Sequence, residues 1–270
     1  MIDLPAKKEK LFIIKIGGNV IDTPVNLDLF LKEFAGIADK KILVHGGGKI
    51  ATAIGEKLGI RSKYIEGRRI TDDETIDLVV MVYGGLVNKK IVAKLQSLNC
   101  NAVGITGADA DLLPATKRTV KEIDYGWVGD VNTNDINSKF WRLFLGNGLT
   151  PVVAPLTHDG EGHILNTNAD TIASVLSVNL SSYYDVILIF CFEKNGVLEN
   201  IDDENSVISN LTAEEYLLLK KSRKLFAGIL PKIDNAFDAV NKGVKEVLIG
   251  NTSQLDFLIN GKCGTKICLQ

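Results

Sequence analysis

Across 270 residues, no apolar run approaches the roughly 18–20 residues that a membrane-spanning helix requires. The opening stretch MIDLPAKKEK also lacks the hydrophobic region of a signal peptide. Both absences point to a cytoplasmic protein without a membrane partner. Positive charge is not in excess: 31 Lys and Arg face 33 Asp and Glu, and the basic residues are scattered. No stripe is therefore available to follow a nucleic-acid backbone. Cysteine is scarce, and Cys100, Cys191, Cys263 and Cys268 show neither CxxC nor zinc-pair spacing. They read as reduced, mostly buried thiols. The histidines, His45, His158 and His163, have no metal-site partners at useful spacing. Fixed-period repeats and low-complexity linkers are missing too.

What is present suits one large α/β domain or two small ones, with 46% hydrophobic residues to build a core. Strand-like runs alternate with helix-like ones. The strands are LFIIKI (11–16), KKILVH (40–45), NAVGIT (101–106), LTPVVAPL (149–156), DVILIFCF (185–192) and KEVLIG (245–250). Helical patterns cover 25–38, 49–58, 71 to about 98, 134–145, 168–179 and 231–242. Thr71, with Glu74 three residues on, is the expected N-cap of the long helix. Gly84 and Gly85 inside it cost stability, which suggests a close helix–helix contact. Residues 112–133 alternate short β runs with charged ones, and HDGEG (158–162) links a further hairpin. Continuously apolar strands imply a sheet covered on both faces, and their alternation with helices implies a mainly parallel α/β sheet.

Two strand ends carry glycines, KIGG (15–18) and HGGGK (45–49). Glycine lets backbone N–H groups approach an anion, and a following helix N-terminus adds partial positive charge. Standard alternatives fail. GGGKI lacks the Ser or Thr of a Walker A loop, and no GxGxxG follows a strand. HGGG occurs in lipase-type oxyanion holes, but the required G-x-S-x-G elbow is missing. Lys15 places a cation at the end of a buried strand. Lys232 sits in a helix first turn, where it opposes the helix dipole, and so points to a bound anion. LNTNAD (165–170) opens a helix; Asn166 or Asn168 reads equally as its N-cap.

Together, IIKIGG (13–18), LVHGGGK (43–49), GRRIT (67–71), LVNKKIV (86–92), LNTNAD (165–170), ILPKI (229–233) and GTKI (264–267) resemble the acetylglutamate kinases of the amino acid kinase family. They run in the family's order over nearly the whole chain, and GRRIT, MVYGGLVN and CFEK are similar to its Bacteroidetes branch. The resemblance implies a three-layer αβα sandwich around a mainly parallel sheet of about eight strands. It implies an N-terminal lobe, 1–180, for the acylated glutamate and for dimerisation, and a C-terminal lobe, 181–270, for ATP with Mg²⁺, on one continuous sheet. The implied reaction is phosphorylation of the side-chain carboxylate of N-acetyl-L-glutamate in arginine biosynthesis. N-succinyl-L-glutamate is the alternative acceptor; another amino acid kinase or a silent nucleotide sensor are more distant readings.

By position, Lys15 and Lys232 resemble the family's phosphate-binding lysines and Asp170 the carboxylate that orients both. Gly17 and Gly18 resemble glycines at the nucleotide phosphates, and Gly47 and Gly48 those at the substrate. Arg69 resembles the arginine on the substrate α-carboxylate. Asn166, with Asn168 nearby, resembles the asparagine at its carboxylate and amide. The family's short turn after the nucleotide strand is replaced here by CFEKNGVL (191–198). Glu193, Lys194, Asn195 and Gly196 are therefore expected at ATP, as are Lys224, Leu225 and Phe226 by alignment with the family. No metal held by protein ligands is expected. A succinyl group would need one more cation, for which Arg68 and Lys63 are candidates, although a solvated Arg68 is the plainer reading. About ten residues precede Leu11, too few for the extra N-terminal helix of arginine-inhibited hexamers. The expectation is a homodimer insensitive to arginine, joined through residues 81–88.

Overall fold

The computed structural model describes residues 7–65, 67–222, 225 and 229–269. One eight-stranded sheet organises it. Its strands are β1 (Lys10–Ile16), β2 (Lys40–His45), β3 (Ala102–Ile105), β4 (Thr150–Val153), β5 (Asp185–Phe192), β6 (Asn210–Thr212), β7 (Glu246–Asn251) and β8 (Thr265–Cys268). The spatial order is β6-β8-β7-β5-β1-β2-β4-β3. From β7 to β3 every neighbouring pair is parallel, while β8 runs antiparallel to β7 and parallel to β6. This is the expected mainly parallel sheet, with helices on both faces.

The two-residue period of a strand divides β1 between two cores. Leu11 and Ile13 enter one apolar cluster, with Ile172, Leu176, Ile233 and Ala236 of the helices Ala169–Ser181 and Leu230–Asn241. Phe12, Ile14 and Ile16 enter the other, with Phe30, Leu31 and Phe34 of the helix Pro24–Gly36. Lys15 shares the parity of Leu11 and Ile13, so it faces the layer that holds Ala169–Ser181. The helix after β1 lies on one face of the sheet, and the helices after β5 lie on the other. Adjacent β1 and β5 therefore form a switch point, where a crevice opens beyond the strand C-termini.

The long helical pattern from residue 71 is one continuous helical run, but its middle is not α. Asp73–Val79 and Asn88–Ser97 are α-helical, and Val80–Val87 between them is π-helical. Its cap is Asp72, whose side chain accepts from the Thr75 N–H at 3.0 Å. Thr71 cannot serve: its N–H donates to the Tyr125 carbonyl and its own carbonyl accepts from Trp127 N–H. The Gly84 α-carbon faces Leu156 and Thr106 of the same chain rather than another helix. Strand β4 stops at Val153. Pro155 cannot donate to a ladder, and Leu156–His158 pairs instead with Ile164–Asn166 as a separate hairpin. Thr212-x-x-Glu215, a reciprocal capping box, opens the helix Ala213–Lys221, which the apolar pattern alone had not marked.

His45 ends β2 and is fully buried. Its Nδ1 lies 2.7 Å from the Gly46 carbonyl, and Asn88 Nδ2 donates to its Nε2 at 3.1 Å and to the Val152 carbonyl at 2.9 Å. This network assigns a neutral ring protonated on Nδ1. Burial, with the Lys89 charge nearby, lowers its pKa to about 4 against the Gly46 hydrogen bond, which favours the charged form. The folded state thus disfavours protonation. His45 contributes stability fully above the unfolded value of about 6.5, and that contribution is lost as pH falls towards 4. The urea midpoint is expected to fall between pH 7 and pH 4.5, and to fall less in a His45→Gln variant. Equal falls in both proteins would show that His45 is not the group responsible.

Candidate active site

Asp170 lies in the first turn of the helix Ala169–Ser181, whose N-cap Asn168 accepts from the Asp170 and Thr171 N–H groups at 2.8 and 3.2 Å. The cap fixes the turn that aims the carboxylate at the crevice. Lys15 Nζ approaches Asp170 Oδ1 at 2.7 Å, and Lys232 Nζ donates to Oδ2 at 2.6 Å. The Lys15 contact is a close, buried ion pair. Burial alone would raise the Asp170 pKa. The two ammonium groups outweigh it and hold the carboxyl down at about 2. Lys15 is shifted down by burial, and by Lys232 beside it, against the pull of Asp170. One carboxylate thus gathers two cations from β1 and from the helix Leu230–Asn241.

The glycines make room around them. A Cβ on Gly17 would stand 3.7 Å from Lys15 Nζ. Only a four-residue helix, Gly18–Ile21, follows this turn, whereas ten residues, Gly48–Lys57, follow the second. A Cβ on Gly47 would lie 2.9 Å from the Tyr83 ring. Tyr83 belongs to the π-helical segment, a feature that often marks functional sites. A cavity of about 350 Å³ is lined by Lys15, Gly17, Gly18, Gly48, Lys49 and Lys232, with Cys191, Phe192 and Glu193 at the end of β5. Burial pushes the Cys191 thiol up to about 12, which makes it a wall and not a nucleophile.

A second cavity, of about 230 Å³, is lined by Gly46–Gly48, Tyr64, Arg68, Arg69, Tyr83, Arg118, Asn166 and Asn168, among others. Gly48 lines both cavities. Arg69 is buried, donates through Nη2 to the Gly48 carbonyl at 2.8 Å and to Thr52 Oγ1 at 2.9 Å, bonds Ser62 through Nη1, and lies over the Tyr64 ring. Its charge is therefore fixed in place at the rim. Asn166 Nδ2 donates to Thr71 Oγ1 at 3.0 Å. Arg118, which sequence reasoning missed, is brought in by the pairing of Thr116–Lys117 with Gly129–Asp130 and is held by Asp130.

The other expected residues have contacts of their own. Lys194 pairs with Glu204 at 3.1 Å. Asn195 accepts from Asn251 Nδ2, which also bonds the Glu193 carbonyl, so β7 fastens the 193–195 turn. Gly196 is a packing glycine: a Cβ there would meet Thr265 Oγ1 at 2.7 Å. Leu225 packs against the core, while Lys224 and Phe226 lie outside the described residues. Lys63 stands on an exposed hairpin strand and does not line the second cavity; Arg68 does. Among the described residues, Asp159, Glu161 and His163 do bring ligand atoms within 4.8 Å of one another. That loop is stitched by its own hydrogen bonds from the Glu161 and His163 N–H groups to Asp159, which accounts for the cluster.

Comparison with known proteins matches the model of the amino acid kinase family over residues 10–251. The chain belongs to the amino acid kinase family. Among family relatives, the acetylglutamate kinase of Cytophaga hutchinsonii is 52% identical over 262 residues, covering 96% of this chain and 98% of that protein. The acetylglutamate kinase of Bacteroides thetaiotaomicron is 49% identical over 242 residues, covering 90% and 93%. Of solved structures, smu.665 from Streptococcus mutans superposes with a TM-score of 0.79 at 30% identity, covering 96% of this chain and 99% of that one. Carbamate kinase from Giardia lamblia shares the amino acid kinase fold at 17% identity, with a TM-score of 0.69 over 99% of this chain and 100% of that one.

The Asp170 bridge has a measurable consequence. Its low folded pKa means that its stabilisation is full above the unfolded value of about 3.9 and is lost as pH falls through about 2. Asp170→Asn leaves two ammonium groups together without their counter-charge. It is expected to cost about 3 kcal/mol at pH 7, in line with breaking a buried ion pair, and to lessen the acid-induced loss between pH 4 and 2, to which Asp159, also held at about 2, still contributes. A urea midpoint matching wild type at pH 7 would contradict this.

Proposed function

We propose that the chain transfers the γ-phosphoryl group of ATP to the side-chain carboxylate of N-acetyl-L-glutamate, giving the acyl phosphate and ADP in arginine biosynthesis. The observation that carries this reading is the pair of cavities meeting at Gly48, with Lys15 and Lys232 around one and the fixed Arg69 at the other. The names of the relatives at about 50% identity favour the acetyl acceptor over the succinyl one.

The nucleophilic carboxylate has an ordinary pKa near about 4.3 and is ionised at neutral pH, so the site needs no general base. The obstacle is repulsion between two anions. At about 4 Å a like-charge pair costs a few kcal/mol even at an effective dielectric of about 20. The residues answer by positioning and charge neutralisation. Lys15 and Lys232 are compact charges that follow the phosphoryl group without fixed fork geometry. Asp170 aims them. Arg69 holds the acceptor's α-carboxylate, and Asn166 its amide region, with Gly47 and Gly48 leaving backbone N–H groups open. Gly17, Gly18, the 193–196 turn and Leu225 form the nucleotide side, and Mg²⁺ arrives with ATP. In this reading residues 1–180 hold the acceptor and lend Lys15, Gly17 and Gly18 to the nucleotide side, which residues 181–270 complete. A homodimer would use Met81 and Leu86, which are exposed on the π-helical segment, but not Asn88, which is buried against His45.

Coupled ADP release with N-acetyl-L-glutamate tests the reading. Lys15→Ala and Lys232→Ala are each expected to lower kcat by at least about 10²-fold, as for loss of one electrostatic stabiliser. Arg69→Ala is expected mainly to raise KM for the amino acid. Near-normal turnover in either lysine variant, or collapsed kcat with unchanged KM in Arg69→Ala, would sink the assigned roles.

A further inference from the structure

Gly18 opens onto something other than its neighbour Gly17 does. A Cβ on Gly18 would stand 3.2 Å from Asp22 Oδ2 and 3.8 Å from Cγ and Cδ of Lys49. The Lys49 stem therefore crosses the bare α-carbon of the first glycine turn, although Lys49 itself follows the second. Its ammonium reaches Asp22 Oδ2 at 3.8 Å while the side chain stays 70% exposed. Both Asp22 oxygens are buried and accept no hydrogen bond among the described residues. A carboxylate desolvated in this way is costly unless a cation offsets it, and Lys49 is the cation beside it. Lys49 also stands in the first turn of the helix Gly48–Lys57, where the helix dipole disfavours a positive charge. It lines the same cavity as Lys15 and Lys232.

We propose that Lys49 is a third phosphate-binding cation, which contacts the nucleotide's phosphate chain from the side opposite Asp170, and that Asp22 is the positioning residue that holds it across Gly18. This rests on the kinase reading and deepens it. Lys15 and Lys232 are locked to a shared carboxylate at 2.7 and 2.6 Å. Lys49 lies 3.8 Å from Asp22. Its side chain is 70% exposed where Lys15 and Lys232 are nearly buried, so its contact serves ground-state binding of the polyphosphate more than the chemical step.

Calorimetric titration of the full-length protein with MgATP, MgADP and AMP tests this, together with steady-state kinetics. Lys49→Met is expected to raise Kd for MgATP about tenfold, leave AMP binding within twofold, and raise KM for ATP while kcat changes less than threefold. Lys49→Arg is expected to restore most of the affinity. Asp22→Asn is expected to raise Kd for MgATP about threefold, and adding it to Lys49→Met should cause no further loss. MgATP affinity within twofold of wild type in Lys49→Met overturns the proposal, as does a Lys49→Met loss equal for AMP and ATP. The wild-type arm reports on the kinase reading: if it neither binds MgATP nor turns over N-acetyl-L-glutamate, that reading and this inference fall together.

Discussion

A carboxylate has two oxygens, and in this fold each is claimed by a lysine from a different part of the chain. Asp170 can bridge Lys15 and Lys232 only if three conditions hold at once. Lys15 must have the parity of Leu11 and Ile13, so that it faces the Ala169–Ser181 layer. That helix must begin at the crevice, and the helix Leu230–Asn241 must begin beside it. Strand parity supplies the first, and the aligned ends of the parallel strands supply the edge where Ala169–Ser181 begins; Leu230–Asn241 reaches the same edge after β6, which runs opposite to β5 and β7, and the helix Ala213–Lys221. The bridge leaves the cluster with one net positive charge in a desolvated place. Burial penalises Asp170 and Lys15, and the attraction of the two ammonium groups is what keeps the carboxylate ionised at a pKa of about 2. A site arranged in this way is poised for an anion, since a phosphoryl group completes the charge balance that Asp170 only half supplies.

Much of this was legible in the sequence, for identifiable reasons. The continuous apolar runs and the alternating pattern mark the sheet because buried parallel strands must be apolar on both faces. Lys15 stands out because a cation inside such a run has no structural benefit of its own. The convergence of Lys15, Asp170 and Lys232 was not readable from spacing; it came from resemblance to a family. The cap of the long helix was misplaced by one residue because Thr71 and Asp72 are both good caps in isolation. The choice was made by the 116–130 segment, whose Tyr125 and Trp127 occupy the Thr71 backbone groups. The same segment delivers Arg118, and nothing in a short charged hairpin announces which cavity it will line. The π-helical register around Tyr83 escaped for a similar reason. It shows no distinct period over eight residues, and the seating of Tyr83 against Gly47 is a tertiary fact.

The cations divide by how firmly they are held, and that division matches what catalysis requires. Arg69 is anchored through three of its five N–H donors by a backbone carbonyl and two hydroxyls, and by an aromatic face, so its charge stays in place. It suits the end of the acceptor whose charge is the same before and during reaction. Binding of that kind lowers KM without favouring the transition state over the ground state. Lys15 and Lys232 each spend one contact on Asp170 and keep other N–H donors for a ligand. In the proposed reaction they stand where charge is redistributed as the phosphoryl group leaves one oxygen for another. An ionised carboxylate nucleophile makes a base unnecessary, and the neutral, inward-bonded His45 is consistent with that: its ring nitrogens are committed to Gly46 and Asn88. The acid–base chemistry expected of a histidine near a glycine loop is thus closed off by the fold itself. What remains at the crevice is electrostatic work, for which lysines on short tethers and glycines without side chains are sufficient.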